Sequence, residues 1–117
     1  MLPAAARMRS SEEFTAVVRF GRRAGCPTLV VHALAVSPEV ASASARVGLI
    51  VGRAVGGAVA RNRTRRQLRH LMRDRLRSLP TSCRVVIRAL RPAGGSSSAT
   101  LASDLDRCLA RVLGAAR

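Results

Sequence analysis

The chain has 117 residues and a formal net charge of +15, because 21 basic residues, all of them arginine, outnumber six acidic ones. A hydrophobic fraction of 48% is that of a folded domain, which excludes a disordered basic tail. The longest apolar run, Leu29 to Val36, is too short to span a bilayer, so the charge indicates a polyanionic partner and no membrane contact. We expect a single domain over residues 1–117.

The three cysteines, Cys26, Cys83 and Cys108, are odd in number and lack the close spacing of a metal-binding knuckle. We expect them to be buried free thiols in a reducing compartment. The first nine residues contain no apolar segment as long as a secretory signal, so the expected location is cytoplasmic.

The first predicted helix begins at a capping box formed by Ser10 and Glu13 and ends at Gly21. Its apolar face carries Phe14, Val17 and Val18. Two segments rich in Val and Leu follow and predict strands, Leu29 to Val36 and Arg46 to Val51. Residues 37–45 between them predict a loop of small side chains.

Residues 59–77 predict one long amphipathic helix that carries much of the charge of the chain. Eight arginines occur in it, and Asp74 is its only acid. An apolar stripe at helical spacing would face the core: Leu68, Leu71, Met72 and Leu79. The opposite side gathers Asn62, Arg63, Arg66, Arg69, Arg73 and Arg77. A solvated helix face usually alternates the two signs of charge, so this one-sided face predicts a nucleic-acid interface.

Before this helix, the glycines at 52, 56 and 57 predict a tight strand-to-helix turn with Gly57 at the helix N-cap, because no phosphate-loop motif is present. After it, Arg84 to Arg91 predicts a third strand, in which Val85, Ile87 and Ala89 alternate with Arg84, Val86 and Arg88. Leu101 to Leu113 predicts a final amphipathic helix. Residues 1–8 and the Gly/Ser-rich residues 92–99 are expected to be flexible loops. The order helix, strand, strand, long helix, strand, helix predicts an α+β protein, a two-layer α/β sandwich.

The acidic residues predict no catalytic site. A metal-dependent nuclease needs clustered carboxylates. Here Glu12 and Glu13 fit the first turn of one helix, and Asp104 and Asp106 the first turn of another, where the helix dipole favours anions. The two histidines are too scattered to suggest zinc, so we expect no catalytic residue and no metal ligand in the protein. Asn62 has two equally weighted interpretations, a harmless surface residue or a nucleotide contact.

A specific motif surrounds the long helix: Arg46-Val47-Gly48-Leu49, Val51, Gly56, Ala58-Val59, Arg61-Asn62-Arg63, Arg65-Arg66 and Arg69. Further matching residues lie near both ends of the chain: Arg9, Glu13-Phe14, Gly21 and Ala89-Leu90-Arg91-Pro92-Ala93. Together these residues resemble the signature of the protein subunit of bacterial ribonuclease P.

The resemblance implies the αβββαβα order of the ribosomal protein S5 domain 2-like fold, with a left-handed βαβ crossover around the arginine helix, where general rules favour the right-handed one. It also implies a catalytic RNA subunit as partner and precursor tRNA as substrate, whose 5′ leader the holoenzyme removes. The Mg²⁺ ions would be held mainly by the RNA, the protein alone would be inactive, and no protein partner would be obligatory.

Two sets of site residues follow from the resemblance. The first set would face the catalytic RNA: Arg53, Arg61, Asn62, Arg63, Arg65, Arg66, Arg69 and Arg73. The second would line a cleft for the leader: Phe14, Val18, His32 and Arg91. We expect the imidazole of His32 to stack on a leader base; a buried structural histidine is the alternative. A structural ribosomal-RNA-binding or DNA-compacting protein is the competing function, and a free-standing nuclease is disfavoured.

Overall fold

A computed structural model describes residues 2, 6–8, 10–37, 39 and 44–114 of the chain. Its helices and strands are α1 Ser11–Phe20, β1 Arg22–Gly25, β2 Leu29–Ala35, β3 Arg46–Ile50, α2 Ala58–Arg75, β4 Cys83–Ala89 and α3 Ser98–Gly114. The order αβββαβα and the α+β sandwich are as the resemblance implies. None of the helices in the described ranges has the length and apolar character needed to cross a bilayer.

The strands form one sheet in the order β1-β2-β4-β3. β2 pairs antiparallel with β1 and with β4, whereas β3 pairs parallel with β4, so α2 lies in the crossover of a βαβ unit. The left-handed sense of that crossover stays a prediction. β1 was missing from the residue-based prediction, because its four residues, Arg-Arg-Ala-Gly, bury only Ala24 and show no apolar alternation.

The main core lies between the sheet and the pair α2 and α3. Alternate residues of β4 enter it, Val85, Ile87 and Ala89, as predicted. Facing them are Leu68 and Met72 of α2, both fully buried, together with the apolar face of α3. This packing fixes the rotation of α2 about its axis, because the buried stripe has to face the sheet.

The helix α1 lies against the other face of the sheet. Val17 is buried there with Met8 and Val86. Four half-buried side chains surround them: Phe14, Val18, Leu34 and Ile50. The close approach of α1 requires Gly48 on β3, because a Cβ at that position would overlap the ring of Phe14.

Residues 92–99 differ from the prediction of a loop. They contain most of a 3-10 helix, Arg91–Gly95, and the first residues of α3. Ala93 is fully buried, and a Cβ on Gly94 would overlap the carbonyl oxygen of Val55, so this segment packs closely against the turn that precedes α2.

Parts of the other predicted loops are described as well. Residues 1, 3–5 and 9 lie outside the described residues, and so do 38 and 40–43 of the predicted loop 37–45. Of residues 1–8, Leu2, Ala6 and Met8 are buried, and Arg7 forms a β-bridge with Val47.

The placement of Asp104 and Asp106 in a first helical turn is wrong, because both lie in the middle of α3. The side chain of Asp104 accepts hydrogen bonds from the N–H (3.1 Å) and the hydroxyl (2.6 Å) of Thr28, which joins α3 to the turn between β1 and β2. Asp106 pairs with Arg75 through two bonds of 2.5 and 3.0 Å, which joins α3 to α2 and lowers the pKa of Asp106. Tertiary contacts, not the helix dipole, explain both acids.

Candidate RNA interface

The helix α2 begins where the sequence predicts, with Gly57 at the N-cap. Gly56 before it has a φ of 146°, a conformation that L side chains rarely adopt, so glycine is required at this turn. The first turn of α2 contains no acidic residue, which leaves the positive end of the helix dipole uncompensated by protein carboxylates there.

The residues predicted to contact RNA follow the exposed side of α2 and the turn before it. Five of these residues are exposed: Arg53, Asn62, Arg63, Arg66 and Arg73. Half-buried are Arg61, Arg65 and Arg69. Asp74 lies 4.0 Å from Arg73, and it is the one acid within α2, so the charge of this face is almost entirely positive. We call these eight residues the α2 face.

A groove of about 500 Å³ runs along this face, lined by Asn62, Arg65, Arg66, Arg69 and His70. Guanidinium groups bind phosphate through two parallel hydrogen bonds, and a groove lined by three of them fits a nucleic-acid backbone. His70, which is exposed, also lines the groove and was not predicted as a site residue.

Asn62 orients an arginine within the α2 face. Its Oδ1 accepts a hydrogen bond of 2.9 Å from Nη1 of Arg65, and Nη2 of the same guanidinium donates to the carbonyl oxygen of Val51 at 3.3 Å. Arg65 is therefore held between the helix and the end of β3. Neither interpretation of Asn62 from the sequence included this role, which depends on the position of Val51.

Three of the four residues predicted for the leader cleft share one side of the sheet. Phe14 and Val18 belong to α1, and His32 lies on the strand face that α1 partly covers. Arg91 begins the 3-10 helix after β4 and is exposed there. The structure therefore places three residues of the predicted cleft on the α1 side of the sheet, and Arg91 beyond the end of β4.

His32 is only 6% exposed, so little of its ring is open for a base to stack on. Burial lowers its pKa, and the positive charges of Arg23 and Arg88 lower it further, so the imidazole is neutral at pH 7. Its Nδ1 is buried and has no hydrogen-bond partner among the described residues.

Arg23 and Arg88 surround His32 and are the basic residues that sequence reasoning missed at this cleft. Arg23 lies opposite His32 on β1, and Arg88 lies opposite Val30 on β4, so all four share one face of the sheet. Both arginines are exposed. The alternation of β4 already placed Arg88 opposite the core-facing residues, but Arg23 could not be found without the edge strand β1.

Glu13 does not complete the predicted capping box. Ser10 does cap α1, since its hydroxyl oxygen accepts from the N–H of Glu12 at 3.1 Å. The Glu13 carboxylate instead reaches the sheet, 3.2 Å from Nη1 of Arg46 and 3.5 Å from Nε of Arg84. This ion-pair network holds α1 across β3 and β4, beside the cleft.

The carboxylates do not fit a protein-held Mg²⁺ site. In the described part of the chain no three His, Cys, Asp or Glu side chains converge on a common point. Glu13 and Asp106 pair with arginines and Asp104 binds Thr28, so these three are already engaged.

The α2 face is too uniformly positive to be balanced by the protein itself. Fold and surface charge therefore define a class, the small α+β proteins whose exposed arginine helix has the composition typical of a nucleic-acid-binding surface.

Comparison with known proteins names the family. A family model described as Ribonuclease P matches residues 2–113. The ribonuclease P protein component of Nocardioides sp. is 56% identical over 112 residues, which are 96% of this chain and 95% of that protein. That of Streptomyces avermitilis is 52% identical over 119 residues, covering 97% of each. The chain belongs to the ribonuclease P protein family, as a bacterial protein component of this tRNA-processing ribonuclease.

Solved structures of more distant proteins agree with this fold. The RNase P protein of Staphylococcus aureus superposes with a TM-score of 0.77 at 22% identity and covers 97% of this chain and 96% of its own. The RNase P protein of Thermotoga maritima gives a TM-score of 0.72 at 20% identity, and the match covers 86% of this chain and 92% of that protein. The sandwich is therefore retained where most side chains differ.

Proposed function

We propose that this chain binds the catalytic RNA of ribonuclease P through the α2 face, and the 5′ leader of precursor tRNA through the cleft beside α1. It thereby assists the Mg²⁺-dependent endonucleolytic removal of the leader. The observation that carries the proposal is the one-sided α2 face, seven arginines and Asn62 with no carboxylate in the first turn of the helix. A structural ribosomal-RNA-binding protein is the alternative.

In the leader cleft, arginine replaces aromatic stacking as the main source of affinity. The chain has only two phenylalanines and no tyrosine or tryptophan. Phe14 is half-buried against Gly48, and His32 is almost completely buried. The exposed guanidinium groups of Arg23 and Arg88 lie on the same sheet face as His32 and can bind leader phosphates or stack on its bases. His32 then forms the neutral, buried base of the cleft between these two guanidinium groups.

The chemistry is assigned to Mg²⁺ held by the RNA subunit. The protein's carboxylates are dispersed and largely engaged by arginines or Thr28, so they offer no cluster to bind a catalytic ion. The protein supplies positive charge where two RNA molecules meet, which lowers their repulsion and with it the Mg²⁺ concentration that assembly needs.

The isolated protein is expected to leave precursor tRNA uncleaved, whereas adding it to the cognate catalytic RNA restores leader removal at a low Mg²⁺ concentration that does not support the RNA alone. The measurement is cleavage of end-labelled precursor tRNA with protein, RNA or both. Site-specific cleavage by RNA-free protein would contradict the proposal. No stimulation of the RNA, together with selective binding to ribosomal RNA, would favour the alternative.

Changing Arg88 to Ala is expected to weaken binding of precursor tRNA to the holoenzyme by about tenfold, the scale of one charged hydrogen bond. Mature tRNA, which has no leader, should bind almost as before. Dissociation constants for both RNAs are compared with those of Arg107→Ala, which removes an equal charge from the exposed side of α3. Equal losses for precursor and mature tRNA would show that Arg88 does not contact the leader.

A further inference from the structure

The turn between β1 and β2 is fastened to α3 by contacts that cluster on one side of that helix. Asp104 binds Thr28 through two hydrogen bonds of 3.1 and 2.6 Å. Nη1 of Arg111 donates to the carbonyl oxygen of Gly25 at 3.0 Å. Residues 104, 108 and 111 lie four and three positions apart and therefore share one face of α3.

Between these two contacts lies a pair of thiols. The sulfur atoms of Cys26, in the turn, and Cys108, on α3, are 2.7 Å apart, and both cysteines are free. Because the contacts of Thr28 and Arg111 hold the two backbones on either side, neither sulfur has to be brought in from a distance. A disulfide bond needs about 2.05 Å between sulfur atoms, so a small side-chain adjustment closes it.

We propose that Cys26 and Cys108 are a reversible redox modification site, which a peroxide converts into a disulfide that ties α3 to the edge of the sheet. No residue of the α2 face or of the predicted leader cleft takes part in this pair. The inference is therefore independent of the proposed function.

The two cysteines differ in exposure, and reaction with a peroxide needs one accessible thiol. Cys26 is half-buried and can be reached by a small oxidant, whereas Cys108 is fully buried. Burial, together with the hydrogen bond to Cys26, raises the pKa of Cys108 to about 12, so Cys108 remains a thiol that donates to the Cys26 sulfur. Cys26 is thus the first group to react and Cys108 the group that resolves it.

The steps balance with hydrogen peroxide as oxidant. The Cys26 thiolate attacks one peroxide oxygen, the O–O bond breaks, and the products are a Cys26 sulfenic acid and hydroxide, which takes up the thiol proton as water. Cys108 then attacks the Cys26 sulfur, the S–O bond breaks, and the departing hydroxide carries away the Cys108 proton as a second water. Two thiols have lost two electrons, and one peroxide has become two waters.

The third cysteine serves as an internal control. Cys83 pairs with Ala35 at one end of the β2–β4 ladder, whereas Cys26 precedes Leu29 at the other end. Six residues of strand separate the two ends, roughly 20 Å. Cys83 is therefore too far from Cys26 to compete for it.

The test treats the full chain with hydrogen peroxide, alkylates the remaining thiols under denaturing conditions, and maps the peptides without reduction. We expect the number of alkylated thiols to fall from three to one, with a Cys26–Cys108 cross-linked peptide that dithiothreitol removes. Cross-linking across so long a loop should raise the thermal midpoint by about 10–20 °C.

Cys83→Ala should give the same cross-link and the same rise, whereas Cys26→Ala, a change at a half-buried position, should give neither. Three thiols left after treatment, a Cys26 sulfinic acid without the cross-link, or a disulfide between two chains would each overturn the proposal. The thermal midpoint of untreated Cys26→Ala verifies that this variant is folded before oxidation.

Discussion

Replacing Arg63 and Arg66 together by alanine is expected to weaken binding of the catalytic RNA by about a hundredfold. This corresponds to two charged hydrogen bonds at about 1.5 kcal/mol each. Both residues are exposed on α2. They lie away from the buried stripe of Leu68 and Met72, so the fold should be unchanged. Each lost phosphate contact should also reduce the slope of log K against log salt by roughly 0.7–0.9.

The measurement is a salt titration of the dissociation constant for the wild type, both single variants and the double variant. Arg107→Ala, on the exposed side of α3, removes the same charge as either single variant and should leave the slope nearly unchanged. An unchanged slope in a well-folded double variant would mean that the α2 face points to solvent in the holoenzyme. A slope that falls equally in Arg107→Ala would mean that the salt dependence of RNA binding reflects only the net charge of the protein.

Changing Glu13 to Ala is expected to cost about 2–4 kcal/mol of the free energy of unfolding, because it removes the partner of a buried charge. The side chain of Arg84 is only 5% exposed and lies 3.5 Å from the Glu13 carboxylate. Arg84 also donates hydrogen bonds to the carbonyl oxygens of Thr81 and Cys83, which carry no formal charge to replace that of the carboxylate. Arg46, the second partner of Glu13, is about one-third exposed, so water compensates it better for the loss of the carboxylate.

Denaturant unfolding of Glu12→Ala is the matched comparison. Glu12 occupies the same first turn of α1, is exposed, and would keep its backbone hydrogen bond to Ser10 after the change. The change Glu12→Ala should lower the free energy of unfolding by less than about 1 kcal/mol, which is the contribution of an acid near a helix N-terminus. Equal losses in the two variants would assign the effect of Glu13 to the helix dipole and exclude the network with Arg46 and Arg84 as its cause.

The sequence by itself determined the features that depend on local periodicity and charge. The 3.6-residue spacing of Leu68 and Met72 set which side of α2 is buried, and therefore which arginines are exposed. The alternation in β4 set which of its residues enter the core. Gly56 and Gly57 marked the turn into α2, and the positive φ of Gly56 requires glycine there. The motif around the helix was specific enough to indicate the family.

Only the tertiary structure decided what depends on residues far apart in the chain. Glu13 was expected to cap its own helix, but Arg46 and Arg84 offer it two guanidinium groups across the sheet. Arg23 lies beside His32 because a strand with no apolar alternation is held in place by pairing with β2. His32, which was predicted to stack on a leader base, is almost completely buried, since its exposure is set by neighbouring strands and by α1. The sulfur pair of Cys26 and Cys108 spans most of the chain, and local sequence patterns carry no signal for contacts of that range.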